Sequence, residues 1–260
     1  MSYIPSEKIV YPENEKAMLA KLKQLFEEWQ ALFAAQPAFR DYTAANMVFD
    51  GFYPYYLAQK VKILFVGRES IDLHGANYIE ILFQAYKDNY IGSQHINVNA
   101  FARRLMYIAY GIIKGKPDWN NVPKADEIAK DFGTESGISF AFMNLSKFSN
   151  SGASWHADWE LIENSYTRSS AGGKNLIQRE IEILDPDLII AMNLGDKLTS
   201  FGEISDVDKT DANIHAYQLK FENGKIVPLL NSFHFTALKG KTDYDTFYEP
   251  ICTYAKRLLK

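Results

Sequence analysis

Four short apolar runs, separated by helical patterns, constrain the fold of this chain more than any other feature. The runs cover residues 62–66, 139–145, 188–192 and 226–230. Apolar residues at helical spacing lie between and after the runs, at residues 76–90, 100–114, 175–184, 195–201 and 246–259. Alternating strands and helices predict a parallel sheet that helices cover on both faces. We therefore expect an α/β protein, a three-layer α/β/α fold with a central four-stranded parallel sheet.

Another helical pattern precedes the first run. Residues 14–36 carry a row of large apolar side chains at helical spacing, namely Leu19, Leu22, Leu25, Phe26, Trp29 and Leu32. Pro37 ends this pattern, and an aromatic-rich connection comes after it. The sequence shows no internal repeat and no low-complexity linker. We therefore expect one domain over residues 1–260, with a helical and aromatic N-terminal extension at 1–57 and the core at 58–260.

Cysteine content and hydropathy restrict the class of protein. Cys252 is the only cysteine, so the chain can form neither an internal disulfide nor a cysteine metal cluster. The opening residues lack the apolar core of a signal peptide, and no segment approaches the roughly 20 apolar residues that cross a bilayer. We expect a soluble, cytoplasmic protein that contacts no membrane and holds no metal or cofactor, and a monomer is favoured.

The charge balance limits how this chain could bind nucleic acid. It has 28 Lys and Arg residues against 32 Asp and Glu residues, a formal net charge of −4. Proteins that bind nucleic acid are usually basic, because phosphate contacts supply most of the sequence-independent affinity. Any nucleic-acid surface on this protein must therefore be local.

Polar side chains come after three of the four runs. The first run leads into Gly67, Arg68, Glu69 and Ser70, Asn144 lies near the end of the second, and His234 lies after the fourth. Ligands of open α/β sheets bind at the carboxyl ends of the strands. The sequence therefore predicts that a carboxylate, an amide and an imidazole meet at one edge of the sheet.

The order of these residues resembles the uracil-DNA glycosylase superfamily. "GRES" at 67–70 occupies the place of the family's first motif, with Glu69 where the family has its water-activating Asp or Asn. "GISFAFMNLSKF" is similar to the strand whose terminal asparagine reads the base, here Asn144. "LLNSFHFTAL" resembles the last motif, with His234 on its histidine and Leu238 on its wedge. The family's prolines after the acid and after the histidine are Ser70 and Phe235 here.

The resemblance implies a DNA-repair hydrolase that binds a flipped-out base and cleaves its N-glycosidic bond. Glu69 and His234 would be catalytic. Asn144 would bind the base, with Phe83 or Tyr78 as the stacking partner and Ile71 in place of the tyrosine that excludes a methylated base. The partner would be DNA, single-stranded or uracil-containing, or a free nucleobase. Contacts to nucleic acid would come from Gly67, Arg68, Ser70, Lys147, Thr236, Leu238, Lys239 and Lys241.

Two other functions stay open at this point. The first is a nucleobase- or nucleic-acid-binding module that has the fold without the chemistry, which the acidic balance favours. The second is an ester hydrolase of the GDS type, with Ser70 as nucleophile and His234 as base. That enzyme class has an Asp three residues before the histidine, where this chain has Asn231. Ordinary structural roles, such as an Arg68–Glu69 ion pair or a core histidine, also remain open.

Overall fold

The computed structural model describes residues 9–152, 156–240 and 242–260. Its helices are α1 (Lys16–Ala34), α2 (Tyr78–Asp88), α3 (Ala100–Ile113), α4 (Ala125–Lys130), α5 (Trp159–Ser169), α6 (Leu176–Leu184) and α7 (Glu249–Leu258). Its strands are β1 (Gly51–Phe52), β2 (Ile63–Gly67), β3 (Tyr90–Ile91), β4 (Gln94–His95), β5 (Ala141–Asn144), β6 (Leu188–Met192), β7 (Glu203–Asp208), β8 (Ile214–Lys220) and β9 (Ile226–Ser232). Within these described ranges, no helix is long and apolar enough to cross a membrane.

The main sheet has seven strands in the order β1-β5-β2-β6-β9-β8-β7. The four predicted strands form its centre and pair in parallel, β5 with β2, β2 with β6, and β6 with β9. Antiparallel strands extend both edges, β1 on one side and the β7–β8 hairpin on the other. The α/β class is thus confirmed. The expected four-stranded parallel sheet corresponds to the centre of this sheet, which is larger and mixed because antiparallel strands extend it.

Helices cover both faces of this sheet. Along β2, Ile63 and Phe65 belong to one buried cluster, while Leu64 and Val66 belong to the other. The first cluster includes side chains from α2, α3, α4 and α7, and the second includes side chains from α1, α5 and α6. Because both faces of β2, β5 and β6 are buried, their sequences are nearly continuous apolar runs.

The segment predicted as an N-terminal extension supplies part of this core. Leu22, Leu25 and Trp29 of α1 are fully buried in the second cluster. The Trp29 indole Nε1 donates a hydrogen bond to Ser169 Oγ at the end of α5, at 2.9 Å. Strand β1 pairs with β5 at the edge of the main sheet. The apolar face of α1 therefore covers the sheet itself.

Asparagine caps begin helices α2 and α3, which border the cleft at the end of the sheet. The Asn77 side chain accepts the backbone N–H of Glu80 at the start of α2, and Asn99 accepts that of Ala102 at the start of α3, both at 3.0 Å. Such caps satisfy N–H groups that the first turn of a helix leaves unpaired. They place Tyr78 and Phe101 in the first turns of these helices.

Several elements escaped the sequence analysis, among them α5, β7 and β8. Helix α5 carries few apolar residues, so its helical pattern is weak, and its Asp158 cap accepts the Leu161 N–H at 3.0 Å. Strand β7 is largely exposed, so its sequence has no apolar run. In β8, only Ile214, Ala216 and Leu219 are buried, so the strand signal there is weak.

Candidate functional site

A cleft of about 500 Å³ lies at the carboxyl ends of the central strands. Glu69 lies just after β2, Asn144 ends β5 and His234 lies just after β9, and all three line this cleft. The structure therefore brings together the carboxylate, the amide and the imidazole that the sequence analysis expected at one edge. Their chemical roles remain predictions.

Asn144 lies on the floor of the cleft, directly beside Gly67. The two residues are paired in register between β5 and β2. A Cβ atom added to Gly67 would lie 2.7 Å from Asn144 Oδ1, closer than real Cβ atoms approach, so any larger residue here would displace the Asn144 side chain. Only 3% of Asn144 is exposed. Its Nδ2 is buried and has no hydrogen-bond partner among the residues that the structure describes.

Behind Asn144 lies a buried cluster of charged side chains. Lys147 Nζ lies 2.7 Å from Asp50 Oδ1 and 2.6 Å from Glu180 Oε2, and all three side chains are buried. Burial raises the pKa of Glu180 well above its usual range, and the negative charge of Asp50 raises it further. The prediction that Lys147 contacts nucleic acid is wrong, because its ammonium group is enclosed in the core and paired there.

The hydrogen bonds of His234 place the proton of its neutral imidazole on Nε2. The backbone N–H of Thr236 donates to His234 Nδ1 at 3.3 Å, and Thr236 Oγ1 lies 2.8 Å from the same atom. Burial lowers the pKa of His234 to about 4, and the positive charge of Arg68 contributes. A neutral imidazole has one donor and one acceptor nitrogen. Since Nδ1 accepts, Nε2 is the donor.

Glu69 is oriented by the loop that precedes α5. Its Oε1 accepts the backbone N–H of Asp158 at 3.1 Å, and the Asn150 side chain also hydrogen-bonds the carboxylate. Burial raises the pKa of Glu69, and these two hydrogen bonds oppose that effect. The guanidinium of Arg68 lies 4.9 Å from the Trp159 ring centroid, and its positive charge also lowers the pKa of Glu69. A positioned carboxylate with a perturbed pKa is typical of functional sites.

Aromatic rings form a wall of the cleft. Tyr78 stacks on Phe142, with ring centroids 4.9 Å apart and 17° between planes, and Phe101 meets Phe142 edge-on at 5.8 Å. Phe101 also stacks against His234 at 6.1 Å. The sequence analysis missed Phe101 and Phe142. Phe142 could have been found, because it lies two residues before Asn144 and therefore on the same face of β5.

Phe83, one of the two predicted stacking partners, does not line the cleft. Its ring packs near Tyr53, with centroids 6.0 Å apart, and near Phe132 at the same distance. Tyr78 and Phe83 both belong to α2, but they point to different sides of the helix. The prediction of Phe83 as a base-binding residue therefore conflicts with its place in the structure. Tyr78 lines the cleft, and its role as a stacking partner stays a prediction.

The rim carries most of the remaining predicted contacts. Ile71 and Thr236 line the cleft, and 52% of Ile71 is exposed. Leu238 projects from the surface, with 91% of its area exposed. Lys239 is exposed, and its Nζ lies 3.8 Å from the Phe233 ring centroid.

Ser70 and Lys241 were also predicted to contact nucleic acid, but the structure does not place them on the rim. Ser70 lines the cleft but is only 4% exposed, so its hydroxyl cannot bind a phosphate on the outer surface. That hydroxyl has no partner in the part of the chain that the structure describes. Lys241 lies outside the described residues.

The geometry does not support the ester hydrolase. Asn231 Oδ1 accepts the backbone N–H of Leu194 at 3.2 Å, so the residue at the expected acid position holds a loop instead. The partner of His234 Nδ1 is Thr236, whereas a Ser–His–Asp triad needs a carboxylate at that atom. Ser70 Oγ donates to no imidazole among the described residues. Nor do these residues include a group of three or more His, Cys, Asp or Glu side chains placed to hold a metal ion.

Comparison with known proteins assigns this chain to no family. The chain matches no protein-family model, no curated protein and no solved structure. The resemblance to the uracil-DNA glycosylase superfamily therefore stays a prediction from motifs. The role of the cleft has to be inferred from its own geometry.

Proposed function

We propose that the cleft binds a nucleobase flipped out of DNA, and that Glu69 and His234 assist hydrolysis of its N-glycosidic bond. The observation that carries this proposal is the buried, unpartnered Nδ2 of Asn144 in an aromatic-walled cleft. Buried polar groups in folded proteins nearly always have a partner, so an orphaned donor calls for an explanation. A base carbonyl or ring nitrogen would supply the missing acceptor.

The lining groups match both the hydrogen-bonding edge and the flat faces of a base. The amide of Asn144 offers both a donor and an acceptor, as the edge of a pyrimidine requires. The rings of Tyr78, Phe101 and Phe142 provide apolar walls. Stacking of a base on an aromatic ring contributes about 1–3 kcal/mol and tolerates any base. The amide would thus select the base, and the rings would contribute affinity.

Glu69 and His234 suit the charges that develop in the reaction. When the bond between the sugar C1′ and the base nitrogen breaks, its electron pair leaves with the base and the sugar becomes oxocarbenium-like. The Glu69 carboxylate would stabilise this cation and accept a proton from the attacking water, whose oxygen bonds to C1′. His234 Nε2–H would hydrogen-bond the base oxygen as it becomes anionic. The neutral imidazole donates this hydrogen bond without giving up its proton.

Leu238 and Lys239 lie close in sequence to His234. Leu238 is exposed four residues after His234, and the exposed Lys239 is the next residue. Apolar side chains that insert between base steps help to open a duplex. A single lysine beside such a wedge is a local phosphate contact, as an acidic protein requires. The pair would hold the strand while the base occupies the cleft.

Release of free base from uracil-containing oligonucleotides tests the proposal. The intact protein would be incubated with single-stranded and double-stranded substrates, and free uracil would be separated and quantified. Release that stops in the Asn144→Ala variant would support the proposal. Oligonucleotide binding without release would favour the non-catalytic module instead. If the protein neither binds any base-containing oligonucleotide nor releases a base from one, the glycosylase and the non-catalytic module are both overturned.

A further inference from the structure

The cleft is larger than one pyrimidine ring needs. Its volume of about 500 Å³ lies within the range of about 300–1,000 Å³ typical of pockets for drug-sized ligands. The residues with a proposed chemical role, Glu69, Asn144 and His234, come from the ends of the sheet strands. Other lining residues come from the loop after β2, from the start of α3 and from β5. Those that α2 and the β3–β4 hairpin contribute beyond Tyr78 have a different character.

These further lining residues form what we call the apolar end of the cleft: Ile81, Leu82, Ala85, Ile91 and Gly92. Ala85 lies seven residues after Tyr78. At 1.5 Å per residue, this places Ala85 about 10 Å along α2 from the ring that stacks on Phe142. The apolar end therefore continues the base-sized space beyond Tyr78.

The chemistry of the apolar end restricts what can occupy it. None of its residues is charged, so it offers no cation for a phosphate. None is aromatic, so it offers no ring face on which a second base could stack. Aliphatic side chains lose unfavourable contact with water when alkyl groups cover them, and 41% of Ile81 is exposed. An alkyl group is thus the best match.

From this arrangement we infer that the preferred ligand is a nucleobase enlarged by an apolar substituent, such as an alkylated base. This inference rests on the proposed function, because it places the base ring against Asn144 and His234. The substituent extends along α2 and covers Ile81, Leu82 and Ala85. An unmodified pyrimidine leaves this end of the cleft unfilled.

Binding of free bases to the full-length protein, measured by calorimetry, tests the inference. The probes are uracil, 5-butyluracil and 6-butyluracil. We expect at least one butyl derivative to bind about tenfold or more tightly than uracil, as burial of several methylene groups predicts. Uracil binding as tight as that of both derivatives would overturn this inference and leave the proposed function standing. If no free base binds, this inference is overturned, and the oligonucleotide assay decides the proposed function separately.

Variants locate the effect in the apolar end. Ala85→Phe should fill this end and remove the butyl preference. Gln84→Phe adds the same ring on the exposed side of α2 and should leave the preference intact. Should Ala85→Phe prove unstable, Ile81→Asn places a polar amide at a half-exposed position and should also abolish the preference. A preference that survives both variants would overturn the inference.

Discussion

Asp50 accepts the backbone N–H of Asn144 on its Oδ2, at 2.6 Å, from inside the core. Its other oxygen receives a hydrogen bond from Lys147 Nζ at 2.7 Å. Buried ion pairs cost desolvation energy, and they persist only where their hydrogen bonds are well satisfied. Here the pair fixes the end of β5, and with it the residue proposed to read the base.

Replacement of Asp50 tests this dependence. Asp50→Asn removes one of the two carboxylates that contact the buried ammonium group of Lys147, and only Glu180 remains beside it. We therefore expect a loss of up to about 3–5 kcal/mol in the free energy of unfolding. Urea denaturation measures the change. Asp206→Asn removes one member of an exposed ion pair with Lys209 and should cost less than about 1 kcal/mol. Equal losses in the two variants would refute the structural role of Asp50.

The proposed chemistry predicts large effects at two positions. Glu69→Gln and His234→Ala should each lower the rate of base release by about 10²–10⁴-fold, because each removes one group that stabilises charge in the transition state. Single-turnover assays with the oligonucleotide substrate measure the rates. Glu135→Gln, at an exposed loop carboxylate, is the matched control and should retain full activity. Unchanged rates in both site variants would exclude this mechanism.

Contact between Gly67 and Asn144 predicts a coupled effect. Gly67→Ala places a methyl group 2.7 Å from Asn144 Oδ1 and 3.0 Å from Phe142 Cζ. We expect a loss of about 1–3 kcal/mol in stability, as overpacking of a core usually costs, and weaker base binding. In an Asn144→Ala background the same substitution should cost less, since part of the clash is gone. Strictly additive losses in a double-mutant cycle would contradict this contact.

Titration of His234 should make stability depend on pH. Burial lowers the pKa of His234 from 6.5 to about 4, so between these values the unfolded chain binds a proton at this site that the folded protein does not. The free energy of unfolding should therefore fall as the pH decreases through this window. His234→Gln should flatten that fall, measured by thermal unfolding from pH 7 to pH 4.5.

Two comparisons make the pH experiment specific. Glu69 acts in the opposite direction, because its raised pKa favours the folded state at low pH, so each histidine variant is compared in an unchanged Glu69 background. His215→Gln changes an exposed histidine on β8 and serves as the control. A pH profile of His234→Gln identical to that of the wild type would show that His234 does not titrate in this window.

Leu238 should affect duplex substrates without affecting stability. Its side chain is 91% exposed, so Leu238→Ala should change the free energy of unfolding by less than about 0.5 kcal/mol. If it acts as a wedge, base release from double-stranded DNA should fall more than release from single-stranded DNA, which needs no unstacking. Parallel assays on the two substrates measure the ratio. An unchanged ratio would leave Leu238 without this role.

The central strands and the polar residues at their ends were predictable from the amino-acid pattern alone. Strands β2 and β6 lie within a residue of their predicted bounds, because strands buried on both faces are continuous apolar runs. Parallel pairing then brings the ends of these strands to one edge, so the meeting of Glu69, Asn144 and His234 was predictable. The edge strands were not, because β7 is exposed and has no apolar pattern.

The directions of individual side chains depend instead on packing in three dimensions. Lys147 lies after a strand end as a surface lysine might, yet it is buried because Asp50 and Glu180, distant in sequence, meet it in the core. Tyr78 lines the cleft and Phe83 does not, because packing of α2 on the sheet sets which side of the helix faces the cleft. Long-range packing, which local patterns do not encode, determined the walls of the site.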